Sequence, residues 1–240
     1  MWQDRTEMLL GPEGLSKLAG AHVLVVGVGG VGGYAAEMLV RAGVGHLIVV
    51  DSDDVSESNR NRQILALCST VGRPKVDVLR ERMLDINPEL DIETVREFVS
   101  EETLPGLFDR VRPDYVIDAI DTLSPKIALI QQCLQREIPM VSSMGSGAKL
   151  DATAVRIADI SQTYECPLAR MIRKRLHKLG IRGGFKAVFS AELPNKERMV
   201  IEESRNKKAQ VGTISYLPAV FGCVCAQAAV CHIAGIEGIS

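Results

Sequence analysis

The chain has 240 residues, 46% of them hydrophobic and 24% charged, with a formal net charge of −2. That balance excludes a disordered polypeptide and supplies a core for one large α/β domain or two small ones. Its six cysteines form no C-x-x-C pair, so no zinc clip is expected, and no apolar run opens the chain, so they are read as reduced thiols of a cytoplasmic protein.

From residue 22 the pattern alternates. "HVLVVG" reads as a buried strand, "GVGGYAAEMLVRAG" as a turn and a helix ended by Gly43, and "HLIVVD" as a second buried strand. "RPKVDVLRERMLDINP" reads as an amphipathic helix stopped at Asn87-Pro88. "DIETV", "YVIDAI" and "PMVSS" read as further strands, with the helix "SPKIALIQQCLQRE" between the last two. Apolar strands alternating with helices predict a doubly wound, Rossmann-like, mostly parallel sheet covered on both faces. After Gly147 the period weakens: "AVRIAD", "KAVFS" and "RMVIE" predict an antiparallel extension around a basic helix. The apolar run Ile214 to Gly235 tempts a membrane assignment, but Pro218, Gln227 and His232 interrupt it, and a buried or subunit-facing helix is expected instead, with no membrane.

Charge divides the chain. Residues 1–150 carry a net −7 and residues 151–240 a net +5. The excess lies in "RMIRKRLHKLGIRGGFK", Arg170 to Lys186, which contains no acid. Such a run is either a solvated helix face or a phosphate-binding patch.

"GVGGVG", Gly27 to Gly32, is G-x-G-x-x-G between a strand and a helix, and Asp51 ends the next strand. Glycines let the backbone approach phosphate, the helix start supplies free N–H groups, and a strand-end acid suits ribose hydroxyls. The motif supports an adenine nucleotide without deciding between NAD, FAD and ATP. Asn59, Arg62, Gln63 and Lys75 follow the second strand, and Asp121 follows the fourth. Cations gathered at strand ends suit a triphosphate, whose charge grows during adenylation, better than hydride transfer.

Those blocks, from "VLVVGVGGVGG" through "DSDDVSESNRNRQI" and "GRPK" to "VIDAIDTLSPK", resemble the ubiquitin-activating-enzyme-like superfamily. The resemblance implies that Gly27, Gly29, Gly30 and Gly32 hold ATP phosphates and Asp51 holds ribose. Asp53 and Asn59 would face the nucleotide, Arg62, Gln63 and Lys75 would contact phosphates, and Asp121 would lie near Mg²⁺ and the reacting carboxylate. Arg62, Lys75 and Asp121 are therefore the catalytic candidates. "RTEMLLGPEGLSKL", "MGSGAKLDATAVRIADIS" and "CPLARMIRKRL" resemble a narrower branch, the tRNA threonylcarbamoyladenosine dehydratases. An acid of that branch is replaced here by Cys166, read as a small buried residue; Cys223, Cys225 and Cys231 are read as packing residues.

The branch implies a tRNA substrate whose adenosine beside the anticodon carries a threonylcarbamoyl group, adenylation of its carboxylate by ATP, and intramolecular ring closure with release of AMP. It also implies a homodimer, with Arg5 reaching the partner's site, and an association with a cysteine-desulfurase system. Residues 1–240 would form a single adenylating domain, with 1–147 the nucleotide-binding core and 148–240 the substrate-facing and dimer-forming part. Arg170, Arg173, Lys174, Arg175, Lys178, Arg182 and Lys186 become tRNA-binding candidates, extended by Lys207 and Lys208. The rival reading is an adenylating enzyme for a ubiquitin-like sulfur carrier, which shares the nucleotide site.

Overall fold

The structure is a computed structural model that describes residues 2–195, 197, 199–200, 210–236 and 238. Seven strands form one sheet in the order β3-β2-β1-β4-β5-β7-β6. β1 (His22–Val26), β2 (His46–Val50), β3 (Asp91–Val95), β4 (Tyr115–Asp118), β5 (Met140–Ser143) and β7 (Lys186–Ser190) run parallel. β6 (Val155–Asp159) closes the edge antiparallel to β7, as the C-terminal extension predicts. Along β1, Val23 and Val25 enter one core and Leu24 and Val26 the other, so the strand has no polar face. This is why its sequence reads as a continuous apolar run rather than an alternating one.

The first core packs beneath α1 (Asp4–Gly20), α2 (Gly32–Ala42), α3 (Lys75–Ile86) and α7 (Tyr216–Ala234). The second packs beneath α4 (Leu104–Val111), α5 (Leu123–Gln135) and α6 (Pro167–Lys178). Both predicted stops hold: Gly43, at φ 106°, caps α2, and α3 ends at Ile86 with Asn87 as its cap.

Two helices lie where the pattern gives no expectation. α1 is broken at Gly11 (φ 72°), just before Pro12, which interrupts its period. α4 contains Pro105 and Gly106, yet Leu104, Leu107, Phe108 and Val111 bury at helical spacing and Pro105 occupies the first turn, where it is tolerated. Only Met199–Val200 of "RMVIE" is described as strand: β8 pairs with β9 (Gln210–Val211) in a separate two-stranded ribbon, not with the main sheet. Lys207 and Lys208 lie outside the described residues.

α7 is long and apolar enough to cross a membrane by length and composition alone, and half of it is buried within the protein. It packs on α2, α1, β5 and β4. The α2 crossing is close: a Cβ on Gly222 would come within 2.4 Å of the Val31 carbonyl oxygen. Cys225 is buried there, while Cys223 is exposed and therefore not a packing residue within the chain.

Candidate nucleotide-binding and catalytic site

Strand order reverses between β1 and β4, and a doubly wound sheet binds its ligand beyond the strand ends at that point. The glycine turn lies there. Gly27 donates its N–H to Val50 O and takes φ 87°, and a Cβ on it would meet Ala119 O at 2.9 Å. Gly32 opens α2 and admits no side chain, since a Cβ would fall 1.7 Å from Gly27 O. Gly29 faces the Gln63 side chain, and Gly30 faces Arg62 on one side and Pro218 of α7 on the other.

A chain of hydrogen bonds joins this turn to the predicted acids and cation. The Asp51 carboxylate accepts from Val28 N and Asp53 N, at 2.8 and 2.9 Å. The Asp53 carboxylate accepts from Lys75 Nζ at 2.9 Å, and the buried Lys75 begins α3. Thus Lys75 is tied through Asp53 and Asp51, in that order, to Val28 inside the glycine motif. Asn59 is buried and closes a reciprocal cap with Ser56, so its visible role is to shape the turn that presents Arg62 and Gln63. Arg62 lays its stem on Gly30 and donates to Ser58 O and Asn61 Oδ1. Gln63 Oε1 is, among the described residues, the sole buried side-chain polar atom without a hydrogen-bond partner. A buried acceptor left unpaired costs about 1–3 kcal/mol. The atom of this side chain that faces Gly29 is the amide nitrogen, Nε2, a donor suited to an incoming phosphate oxygen.

β4 ends at Asp118, so the predicted Asp121 lies three residues beyond the strand, in the turn before α5, where it is exposed. The acid at the strand end is fully buried. Asp118 accepts from Lys126 Nζ (2.7 Å), Ser142 Oγ (2.6 Å) and Ile120 N (3.1 Å). Sequence reasoning misses this pair, although Asp118 and Lys126 stand eight residues apart across a strand-to-helix turn that cannot leave either charge unpaired. The network ties down the turn that presses Ala119 against Gly27 and carries Asp121.

The basic candidates divide. On α6, Ala169, Ile172 and Leu176 are buried, which leaves Arg170, Lys174, Arg175 and Lys178 exposed, with Arg182 just beyond. Arg173 is half-buried and bonds Thr163 Oγ1, and Lys186 begins β7 opposite Asp159. Neither belongs to the exposed face. Cys166 is buried at the α6 N-cap, as a small core residue would be. Near it lies another residue that the sequence does not flag. Lys149 is buried and donates to Ser190 O; burial pushes its pKa down, against the opposing pull of Cys166 and Glu192.

A model of the ThiF family matches residues 3–239. The chain belongs to that family. It is 45% identical over 229 residues to the tRNA threonylcarbamoyladenosine dehydratase of Bacillus subtilis, spanning 92% of this chain and 90% of that one. It is also similar to two crystal structures of the Escherichia coli tRNA N6-threonylcarbamoyladenosine dehydratase. The complex with AMP gives a TM-score of 0.87 at 37% identity, over 98% of this chain and 95% of that one. The complex with ATP gives 0.88 at 36% identity, over 99% and 98%.

Proposed function

We propose that the chain is an ATP-dependent tRNA threonylcarbamoyladenosine dehydratase. The observation that carries this reading is the preformed cradle: a glycine-rich turn at a helix start, Lys75 linked to it through Asp53 and Asp51, and Arg62 and the Gln63 amide nitrogen set against Gly30 and Gly29. The whole-length similarity to dehydratases supplies the substrate.

The carboxylate of the threonylcarbamoyl group attacks the α-phosphorus of ATP. The bond to the β-phosphate oxygen breaks, leaving an acyl-adenylate and pyrophosphate. Backbone N–H groups of the Gly27–Gly32 turn hold the phosphates, and Arg62 and Lys75 offset the charge that builds on them. Lys75 exchanges Asp53 for phosphate when the nucleotide enters. Asp51 orients the ribose. The described residues contain no cluster of three or more acidic, His or Cys ligands. That fits Mg²⁺, which binds through one or two carboxylates together with substrate phosphates. Asp121 would hold it, and the ion would supply charge neutralisation there. A nucleophile of the same modified side chain then attacks the activated carbonyl, AMP leaves, and the nucleoside has lost one water. Ring closure is intramolecular, so no enzyme thiol is needed. Burial pushes the Cys133 and Cys225 thiols up, away from reactivity.

Arg170, Lys174, Arg175, Lys178 and Arg182 form the phosphate-neutralising face for tRNA, while Arg173 braces the helix that carries it. A homodimer in the cytoplasm, linked to a cysteine-desulfurase system and free of the membrane, belongs to the same proposal. In its support, α1 exposes Met8 and Leu9 at 85% and 83%, and α7 is packed on the sheet rather than standing apart from it.

Incubation with ATP, Mg²⁺ and modified tRNA, followed by mass spectrometry of the nucleoside, tests the reaction. Loss of one water supports it. Pyrophosphate exchange driven by a carrier ending in Gly-Gly, with tRNA unchanged, would establish the sulfur-carrier reading instead.

A further inference from the structure

We infer that Tyr164 is a stacking platform for an unpaired nucleobase of the RNA substrate, next to the phosphate-binding face of α6. The inference rests on the tRNA reading above and adds a base-contacting residue to it.

Trp2, Phe98, Tyr164 and Tyr216 are the large aromatic residues exposed among the described ones. Tyr216 spends its hydroxyl on Leu150 O, Phe98 follows β3 at the opposite edge of the sheet, and Trp2 precedes α1. Tyr164 alone adjoins the basic element, and it is 51% exposed. Its ring and that of buried Phe189 form a T-shaped pair, with centroids 5.2 Å apart and planes at 77°, so the ring is anchored while about half of the residue remains in water.

The backbone on either side is fixed as well. Thr163 donates to Ile160 O and accepts from Arg173 of α6, which brings a guanidinium to the neighbouring residue. Glu165 takes a left-handed φ of 51°, and Cys166 is buried at the helix N-cap. A non-glycine residue in that conformation persists only where its surroundings demand it. Here it turns the chain so that Tyr164 stays outside while Cys166 goes in.

Placement agrees. Asp118 aligns with Ser142 of β5 and Ser142 with Ala187 of β7, so Phe189 sits two residues nearer the strand C-termini, the edge that carries the glycine turn. From β4 to β7 is two strand spacings, about 10 Å. A nucleotide neighbouring the modified adenosine is therefore within reach. Single-stranded loops are recognised by splaying their bases onto aromatic faces beside cations, and stacking needs no particular base.

The test is a double-mutant cycle between protein and RNA. Tyr164→Ala should weaken binding of a modified anticodon stem-loop by about 5- to 150-fold, the range for removal of one base stack. ATP affinity and the slope of log Kd against log salt should not change, because every phosphate keeps its cation. Tyr164→Phe should keep wild-type affinity within about twofold, since a ring suffices. Stem-loops with single abasic sites flanking the modified adenosine should identify one position whose loss weakens wild type but not Tyr164→Ala. Additive losses at every abasic position, or wild-type affinity in Tyr164→Ala, would overturn the platform while leaving the dehydratase reading intact. A wild-type protein that binds no stem-loop would overturn both.

Discussion

The glycine-turn side of the sheet and the α6 side are wired differently. Around β1 and β2 the charged side chains are already partnered: Asp51 to the glycine turn, Asp53 to Asp51 and Lys75, and Asp118 to Lys126 and Ser142. Beyond β7, the α6 cations project into water, and among the described residues Arg173 alone of that run has a side-chain partner on the preceding loop. Groups that act on a transition state gain from being fixed beforehand, because no reorganisation remains to be done when charge develops. Groups that hold a polyanion through long-range attraction need only be close and numerous.

That contrast can be broken most directly at its fixed end. Lys75→Ala or Arg62→Ala should cut adenylation, read as pyrophosphate release, by about 100- to 1,000-fold with the fold preserved, the scale of a removed transition-state donor. Normal pyrophosphate release by either variant would cancel the assigned role. Asp118→Asn leaves Lys126 buried without its counter-charge and should lower stability by about 3–5 kcal/mol in urea titration, the usual result of breaking a buried pair. A loss below about 1 kcal/mol would mean that the turn does not depend on this network.

At the loose end, replacing Lys174 and Arg175 together with Ala should weaken tRNA binding and flatten its salt dependence by about 0.7–0.9 in log–log slope for each phosphate that is no longer neutralised. Arg173→Ala should show a smaller slope change and a larger drop in melting temperature, since its guanidinium is spent on Thr163. Identical slopes for both variants would erase the distinction drawn between them.

The smallest effect concerns Glu37. It is buried on α2 and bonds Arg82 of α3 and Arg41. Burial pushes its pKa up, but those two arginines outweigh it and hold the carboxyl below its ordinary range. A depressed folded pKa means that its stabilisation is present above the unfolded value and is lost as pH falls through the folded one. Glu37→Gln should therefore cost about 1 kcal/mol at neutral pH, allowing for screening at the half-exposed arginines, and should flatten the acid side of the stability curve. An unaltered acid limb would show that the arginines contribute nothing.

The parallel part of the fold is legible because its signals are local. Val23 to Val26 are apolar on both faces, Gly43 stops a helix, and Gly32 tolerates no atom where a Cβ would sit. α4 is obscured because Pro105 and Gly106 look like breakers, whereas tertiary burial of Leu104, Leu107 and Phe108 decides its state. The site follows the same rule. Asp51, Arg62, Gln63 and Lys75 belong to recognisable blocks, while Asp118 is hidden in an apolar strand and declares itself only through Lys126 and Ser142, the latter on β5. Lys149 is harder still, since nothing near it in the chain announces that its ammonium will be buried against the carbonyl oxygen of Ser190, on β7.

Pro218 and Gly222 of α7 are pressed against Gly30 and the Val31 carbonyl, so the glycine turn is propped by a helix made some 190 residues later. On the ribosome, the strand, turn and helix of residues 22–43 emerge early yet lack their backing until residues 216–234 follow. ATP should therefore fail to protect nascent chains that stop short of α7 from proteolysis, and begin to protect them once that helix is released.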